Sequence, residues 1–214
     1  MIIRQLLNPI SLKIFQQLVG KSSGNLLTAK SVTFLDIETT HLDPKKSAIL
    51  QVCFITDWED GRQDVWTTKI KPKEIELSFA SEEALKICDF KEQDYEDAPQ
   101  FQDVAKEISK RLTWGPIVGH NINFDLAHIR AVFNRYGWSE VDNHTDLSKE
   151  KTYKIGYPVI DTCALSYLFV PTEKQNLHEL RKHFNISEEG SHEAKKDTQD
   201  CREIFYNIIN KRLE

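Results

Sequence analysis

The chain has 214 residues, of which 40% are hydrophobic and 29% charged, and its formal net charge at pH 7 is −5. This length suits one globular domain with an appendage. No apolar run approaches the ~20 residues that a bilayer-spanning helix needs, which argues against a membrane span. The four cysteines have no C-x-x-C spacing, which argues against a zinc site and favours reduced thiols in the cytoplasm.

Residues 1–30 differ in composition from the rest of the chain. They hold four basic residues and no acid, so they carry +4 and leave −9 for the remainder. Asn8-Pro9 predicts the start of a helix and Gly20 its end, with an apolar stripe between them. We therefore expect an amphipathic helix and linker at 1–30 and a separate domain at 31–214. Three roles are open for the helix: packing on its own domain, docking to a polymerase or another subunit, or a mitochondrial presequence.

From residue 31 onward, strands and helices alternate, which indicates an α/β fold. Residues 31–40 predict a core strand, and 48–55 and 64–70 predict two more, joined by a hairpin turn at 60–61. The polar stretch 139–157 predicts an exposed loop. The other predicted elements are helices over 81–112 with a break at 97–99, a strand at 117–118, a helix capped by Asn123 and ending near Tyr136, a strand at 158–162, and helices at 165–170, at 177–184 and near the end of the chain.

The first of these strands ends in two acids. Successive side chains of a strand point to opposite faces, so Asp36 and Glu38 share one face. Two neighbouring carboxylates repel each other, and each is costly to remove from water without a partner. The strand end therefore predicts a cation site, although D-x-E alone is a weak motif.

Two helices carry further acids on their inward faces. Asp125 recurs with Ile129 and Val132 at helical spacing, which places it on an apolar stripe. Asp197 likewise lies on the apolar stripe of the last helix. His192, five residues before Asp197, is rotated off that stripe, where a loop can carry it over the same site.

These acids lie in three motifs that resemble those of the DEDDh, or DnaQ-like, family of 3′-to-5′ exonucleases. Residues 36–43 match the family pattern D-x-E-T-T-G-L-D except at His41, where the family usually has glycine. Residues 119–125 match G-H-N-x-x-F-D, and residues 192–197 match H-x-A-x-x-D. The resemblance, which includes the proofreading epsilon subunit of bacterial DNA polymerase III, implies a ribonuclease H-like fold. That fold is a mixed five-stranded sheet with its first three strands antiparallel and helices around it. The effect of His41 on the nearby backbone and on substrate fit is open.

The motifs also predict the chemistry of the site. The predicted metal ligands are Asp36, Glu38, Asp125 and Asp197. Their hard oxygen donors suit Mg²⁺ or Mn²⁺, and two ions would clamp the attacking and leaving oxygens of a displacement. His192 is predicted to be the general base, because imidazole ordinarily titrates near neutral pH. The resemblance further implies that Thr39 receives the 3′ end of the substrate and that Phe124 lies against its terminal base, although Phe124 is equally suited to the core.

The predicted function is a metal-dependent 3′-to-5′ exonuclease that releases nucleoside 5′-monophosphates from single-stranded or frayed DNA, in proofreading or end trimming. The negative net charge predicts that the protein binds nucleic acid at the 3′ end of the strand rather than by electrostatic attraction along its length. One alternative is an exonuclease of RNA or short oligonucleotides, because the motifs do not separate DNA from RNA enzymes. Another is a non-catalytic subunit that binds nucleic acid or serves as a scaffold.

Overall fold

A computed structural model of the protein describes residues 31–142 and 150–211. Its strands are β1 (Ser31–Thr39), β2 (Ile49–Trp58), β3 (Gln63–Lys69), β4 (Ile117–Gly119), β5 (Ser139–Glu140), β6 (Thr152–Tyr153) and β7 (Val159–Asp161). Five of them form one sheet in the order β3-β2-β1-β4-β7. The first three strands pair antiparallel, whereas β4 runs parallel to β1 and β7 runs parallel to β4. The predicted mixed five-stranded sheet is confirmed.

Helices cover both faces of this sheet. They are α1 (Glu74–Leu77), α2 (Glu82–Ile87), α3 (Phe101–Arg111), α4 (Ile122–Arg135), α5 (Thr162–Phe169), α6 (Leu177–Phe184) and α7 (Ala194–Lys211). Helices α3 and α4 pack on one face, and α7 packs on the other. Within the described ranges, no helix is both long and apolar enough to cross a membrane.

Strand β1 is buried on both faces. Its side chains alternate between the two faces of the sheet, and this alternation determines the face on which its acids lie. Leu35 and Ile37 pack against α3 and α4, whereas Phe34 packs against α7. Burying an apolar side chain of this size stabilises the fold by roughly 1.5–3 kcal/mol, so the register of β1 is strongly fixed. Asp36 and Glu38 continue the line of Phe34 and therefore lie on the α7 face of the sheet.

The N-cap of helix α4 lies two residues before the predicted one. Asn121, rather than Asn123, is the N-cap, and it has a left-handed backbone with φ of 58°. Its N–H donates to Asp161 Oδ1 at 2.9 Å, which ties the turn to the end of β7. Asparagine adopts this conformation more readily than most residues. The predicted end near Tyr136 is confirmed, because the helix ends at Arg135 with Tyr136 as its C-cap, and Gly137 follows with a left-handed φ of 78°.

The prediction of an exposed loop over 139–157 is wrong in part. Two-residue strands β5 and β6 pair within it, and Tyr153 is buried and stacks on Phe133 with ring centroids 4.3 Å apart. Strands this short carry no periodicity that a sequence pattern can reveal. Residues 143–149 of this stretch, and the helix and linker predicted at 1–30, lie outside the described residues.

Candidate active site

Three carboxylates converge where β1 ends. One oxygen from each of Asp36, Glu38 and Asp197 lies within 4.8 Å of the other two. Glu38 and Asp197 are buried, and Asp36 is partly buried. Helix α7 brings Asp197 to this point because Cys201 and Phe205, one and two turns further along, are buried against the same face of the sheet.

The fourth acid, Asp125, approaches from the opposite side of the sheet. It lies in the first turn of α4 and is 3% exposed. Its Oδ1 accepts the backbone N–H of Ile37 at 3.1 Å, so it is tied to β1 between Asp36 and Glu38. It lies outside the three-carboxylate cluster, but its negative charge raises the pKa of Asp36. The structure thus brings all four predicted acids to one end of the sheet.

Burial and mutual repulsion disfavour the charged form of these carboxyl groups. Burial raises the pKa of Asp36 well above its usual range, and the neighbouring acids add to that shift. Burial likewise raises the pKa of Glu38 to about 7, with Asp197 adding to the shift. The pKa of Asp125 is also raised, again mainly by burial. A divalent cation would relieve this repulsion, and an all-carboxylate donor set suits a hard ion such as Mg²⁺ or Mn²⁺.

A buried arginine holds one of these acids. Arg181 on α6 donates from Nη2 to Asp197 Oδ1 and from Nε to Asp200 Oδ2, both at 2.6 Å. Lys196 Nζ also donates to Asp200 at 2.6 Å, so Asp200 is paired with two cations. Burial raises the pKa of Asp197, and the positive charge of Arg181 opposes that rise.

Sequence reasoning missed two residues next to the acids. The sequence could have indicated Arg181, because it recurs with Leu177 and Phe184 at helical spacing and is thus a basic residue on an apolar stripe. No pattern in the sequence indicates Cys88. Its thiol donates to Glu38 Oε2 at 3.1 Å, and it comes from the end of α2, far away in the sequence. That thiol lowers the pKa of Glu38, against the larger effect of burial.

The two histidines of the motifs have different environments. His192 is exposed in the loop before α7, with a left-handed backbone at φ of 67°. Its backbone N–H donates to Asp197 Oδ1 at 3.3 Å, which places it beside the cluster. The ring of His120 instead lies 3.0 Å from Thr162 Oγ1, and burial lowers the pKa of His120. The His120 ring therefore contacts the first residue of α5.

A pocket of about 180 Å³ opens beside Glu38. Thr39 and Phe124, the two residues predicted to meet substrate, both line it, and Thr39 is buried while Phe124 is half-buried. Most of the other lining is apolar. It includes Leu42, Ala84, Ile87 and Cys88. A pocket with apolar walls next to a carboxylate cluster suits a flat organic group attached to an anion that a cation can bind.

Known proteins are similar to this chain in sequence and in fold. The chain is 24% identical over 180 residues to DNA polymerase III subunit epsilon of Treponema pallidum, covering 83% of this chain and 75% of that protein. It is 26% identical over 196 residues to the PolC-type DNA polymerase III of Caldanaerobacter subterraneus subsp. tengcongensis, covering 91% of this chain but 12% of that protein.

Escherichia coli exonuclease I, solved in complex with a dT13 oligonucleotide, has the same fold. Its TM-score is 0.65 at 18% identity, over 85% of this chain and 41% of that chain. The model of the RNase T-type exonuclease family matches residues 33–205, a range that contains every acid of the site. Enzymes of this family depend on divalent metal ions. The chain belongs to the RNase T-type exonuclease family.

Proposed function

We propose that the protein removes nucleotides one at a time from the 3′ end of single-stranded or frayed DNA and releases nucleoside 5′-monophosphates. The observation that carries the proposal is the convergence of Asp36, Glu38 and Asp197 within 4.8 Å. The names of its relatives support DNA as the substrate, because one is a subunit of a DNA polymerase and the other is a DNA polymerase. The fold of a neighbour solved with dT13 supports a single strand.

In the proposed mechanism the four acids hold Mg²⁺ or Mn²⁺, two ions per site. The ligands are Asp36, Glu38, Asp125 and Asp197. When bound, the cations supply Lewis acidity for the attacking water and for the leaving oxygen. The chain then supplies position and proton transfer. Asp125 is anchored by the Ile37 N–H, and Asp197 by Arg181, so both carboxylates are oriented before substrate arrives.

His192 is proposed to take the proton from the attacking water. The water oxygen forms a bond to the terminal phosphorus, and the bond from phosphorus to the 3′ oxygen of the preceding nucleotide breaks. That oxygen then gains a proton from solvent. His192 suits the role because it is exposed and lies on a loop fastened to Asp197. Thr39 and Phe124 would hold the departing nucleotide in the pocket, where an aromatic ring accepts any base.

The test uses 5′-labelled DNA and RNA oligonucleotides of matched sequence, incubated with the protein in Mg²⁺, in Mn²⁺ and in EDTA. We expect a ladder that shortens from the 3′ end, needs metal and is faster on DNA. Faster shortening of RNA would instead favour the RNA or short-oligonucleotide enzyme. Asp36→Ala and Asp197→Ala variants that still fold should give no ladder. If wild type is as inactive as these variants, the protein is a non-catalytic binding or scaffold subunit.

The division of the chain is also a proposal. We propose that residues 1–30 are an appendage that docks a partner, such as a polymerase, and that residues 31–214 hold the enzyme. Deleting residues 1–30 should leave hydrolysis of oligonucleotides intact, and loss of turnover by the folded deletion variant would show that the division is wrong. We place the protein in the cytoplasm, which its four free cysteines support.

A further inference from the structure

A buried histidine links helix α4 to the loop of residues 40–48, both of which contribute a wall of the pocket. His128 lies on α4, one turn after Phe124, and is 0% exposed. Its Nε2 is 2.9 Å from the carbonyl oxygen of His41, and its Nδ1 is 2.9 Å from that of Phe124. A ring with a single proton can donate to only one of these carbonyls. The Phe124 carbonyl already accepts the backbone N–H of His128 in the helical ladder, so we assign the ring proton to Nε2. From there it donates to the carbonyl of His41, the one position where the first motif departs from the family pattern.

Residues 40–48 form the loop that His128 contacts, and hydrogen bonds join the two ends of this loop. Thr40 N–H donates to the Ala48 carbonyl at 3.0 Å, and Ala48 N–H donates back to Thr40 Oγ1 at 2.9 Å. Within it, Asp43 N–H donates to His41 Nδ1 at 2.7 Å. Leu42 follows His41 directly, is 75% exposed and lines the pocket. A loop bonded in this way moves as a unit, so a hydrogen bond to His41 fixes the position of Leu42.

The same histidine also holds the other wall. Its ring lies on that of Phe124 with centroids 4.1 Å apart, at a tilt of 42°. Phe124 is half-buried and faces the pocket. One side chain therefore touches both walls, through a ring contact on one side and a hydrogen bond on the other.

We propose that His128 is a positioning residue that sets the width of the pocket for the 3′-terminal nucleotide. The identity of that occupant rests on the proposed function. Both ring nitrogens of His128 face backbone carbonyls rather than any of the four acids. It acts through Phe124 and through the carbonyl of His41.

The test compares three variants that separate the ring from the donor. His128→Phe keeps an aromatic ring and loses the donor, His128→Gln keeps an N–H donor and loses the ring, and His128→Leu loses both. Two readouts are measured: binding of dTMP in the presence of Mn²⁺, followed by calorimetry, and amide hydrogen exchange of residues 40–48. Mn²⁺ binding, followed by calorimetry, serves as the control for the carboxylate cluster.

We expect His128→Phe to weaken dTMP binding about tenfold, the worth of one buried hydrogen bond, and to speed exchange at residues 40–48. His128→Gln should keep slow exchange in this loop, and Mn²⁺ binding should be unchanged in every variant. If His128→Phe does not fold, His128→Leu replaces it in the comparison with His128→Gln.

The proposal is overturned if the folded donor-less variant binds dTMP and exchanges its loop amides as wild type does. It is equally overturned if His128→Gln exchanges as fast as the donor-less variant. Failure of the proposed function looks different: wild type itself would neither shorten the oligonucleotide nor bind dTMP. In that case the exchange of residues 40–48 still reports whether His128 holds the loop.

Discussion

Replacing Arg181 with methionine should destabilise the metal-free protein strongly. The Arg181 side chain is 4% exposed, and its partners Asp197 and Asp200 are 11% and 4% exposed. The variant leaves two buried carboxylates, of which Asp200 keeps Lys196, while Asp197 keeps the His192 N–H. Breaking a buried ion pair by removing one partner costs about 3–5 kcal/mol. For a protein of this size that lowers the melting temperature by roughly 6–20 °C.

The assay is urea unfolding at pH 7.5 in EDTA, with Arg130→Met as the matched control. Arg130 pairs with Glu140 at 2.7 Å, but these side chains are 46% and 37% exposed, so the control should lose at most about 1 kcal/mol. Adding Mn²⁺ should raise the melting temperature of Arg181→Met more than that of wild type, because a bound cation would replace the lost positive charge beside Asp197. Equal losses in Arg181→Met and Arg130→Met would refute the reasoning.

Three further predictions concern the cluster itself. Asp36→Asn should lower kcat more than about a hundredfold, since removing even an outer partner of a metal ligand costs 10–100-fold; a folded variant with wild-type turnover would remove Asp36 from the site. His192→Gln should lower kcat by about 10²–10⁴ with little change in KM, and a purely higher KM would instead make it a binding residue. In EDTA the folded protein holds a proton on Glu38 between pH 4.5 and about 7 that the unfolded chain has released. Its stability should therefore fall by about 3 kcal/mol as pH rises through that window, and Glu38→Gln should flatten the slope measured by urea unfolding.

Much of the site could be predicted because its residues lie within short, regular patterns. Alternation along β1 places Asp36 and Glu38 on one face, and helical spacing places Asp125 and Asp197 inward. The glycine of the second motif has a physical reason as well. A Cβ at Gly119 would collide with the side chain of Ile122, so any larger residue there would force the first residue of α4 to shift.

The features of the site that could not be predicted from the sequence depend on contacts between distant segments. Arg181 meets Asp197 because α6 and α7 pack together, and Cys88 meets Glu38 only after α2 has folded back over the end of β1. The N-cap of α4 was misplaced because Asn121 takes its conformation from a bond to Asp161 on another strand. None of these partners can be inferred from local spacing.

The division of the acids between β1 and α7 has a consequence for folding. Asp36 and Asp197 stand near opposite ends of the described chain, so the site exists only once a contact of very high sequence separation has formed, which is a slow step. Docking of α7 also brings like charges together where they are largely removed from water. We therefore expect divalent cations to accelerate refolding as well as to stabilise the product, an effect that stopped-flow measurements in Mg²⁺ and in EDTA would detect. We therefore expect the enzyme to become active late in folding, when α7 docks and the metal ions bind.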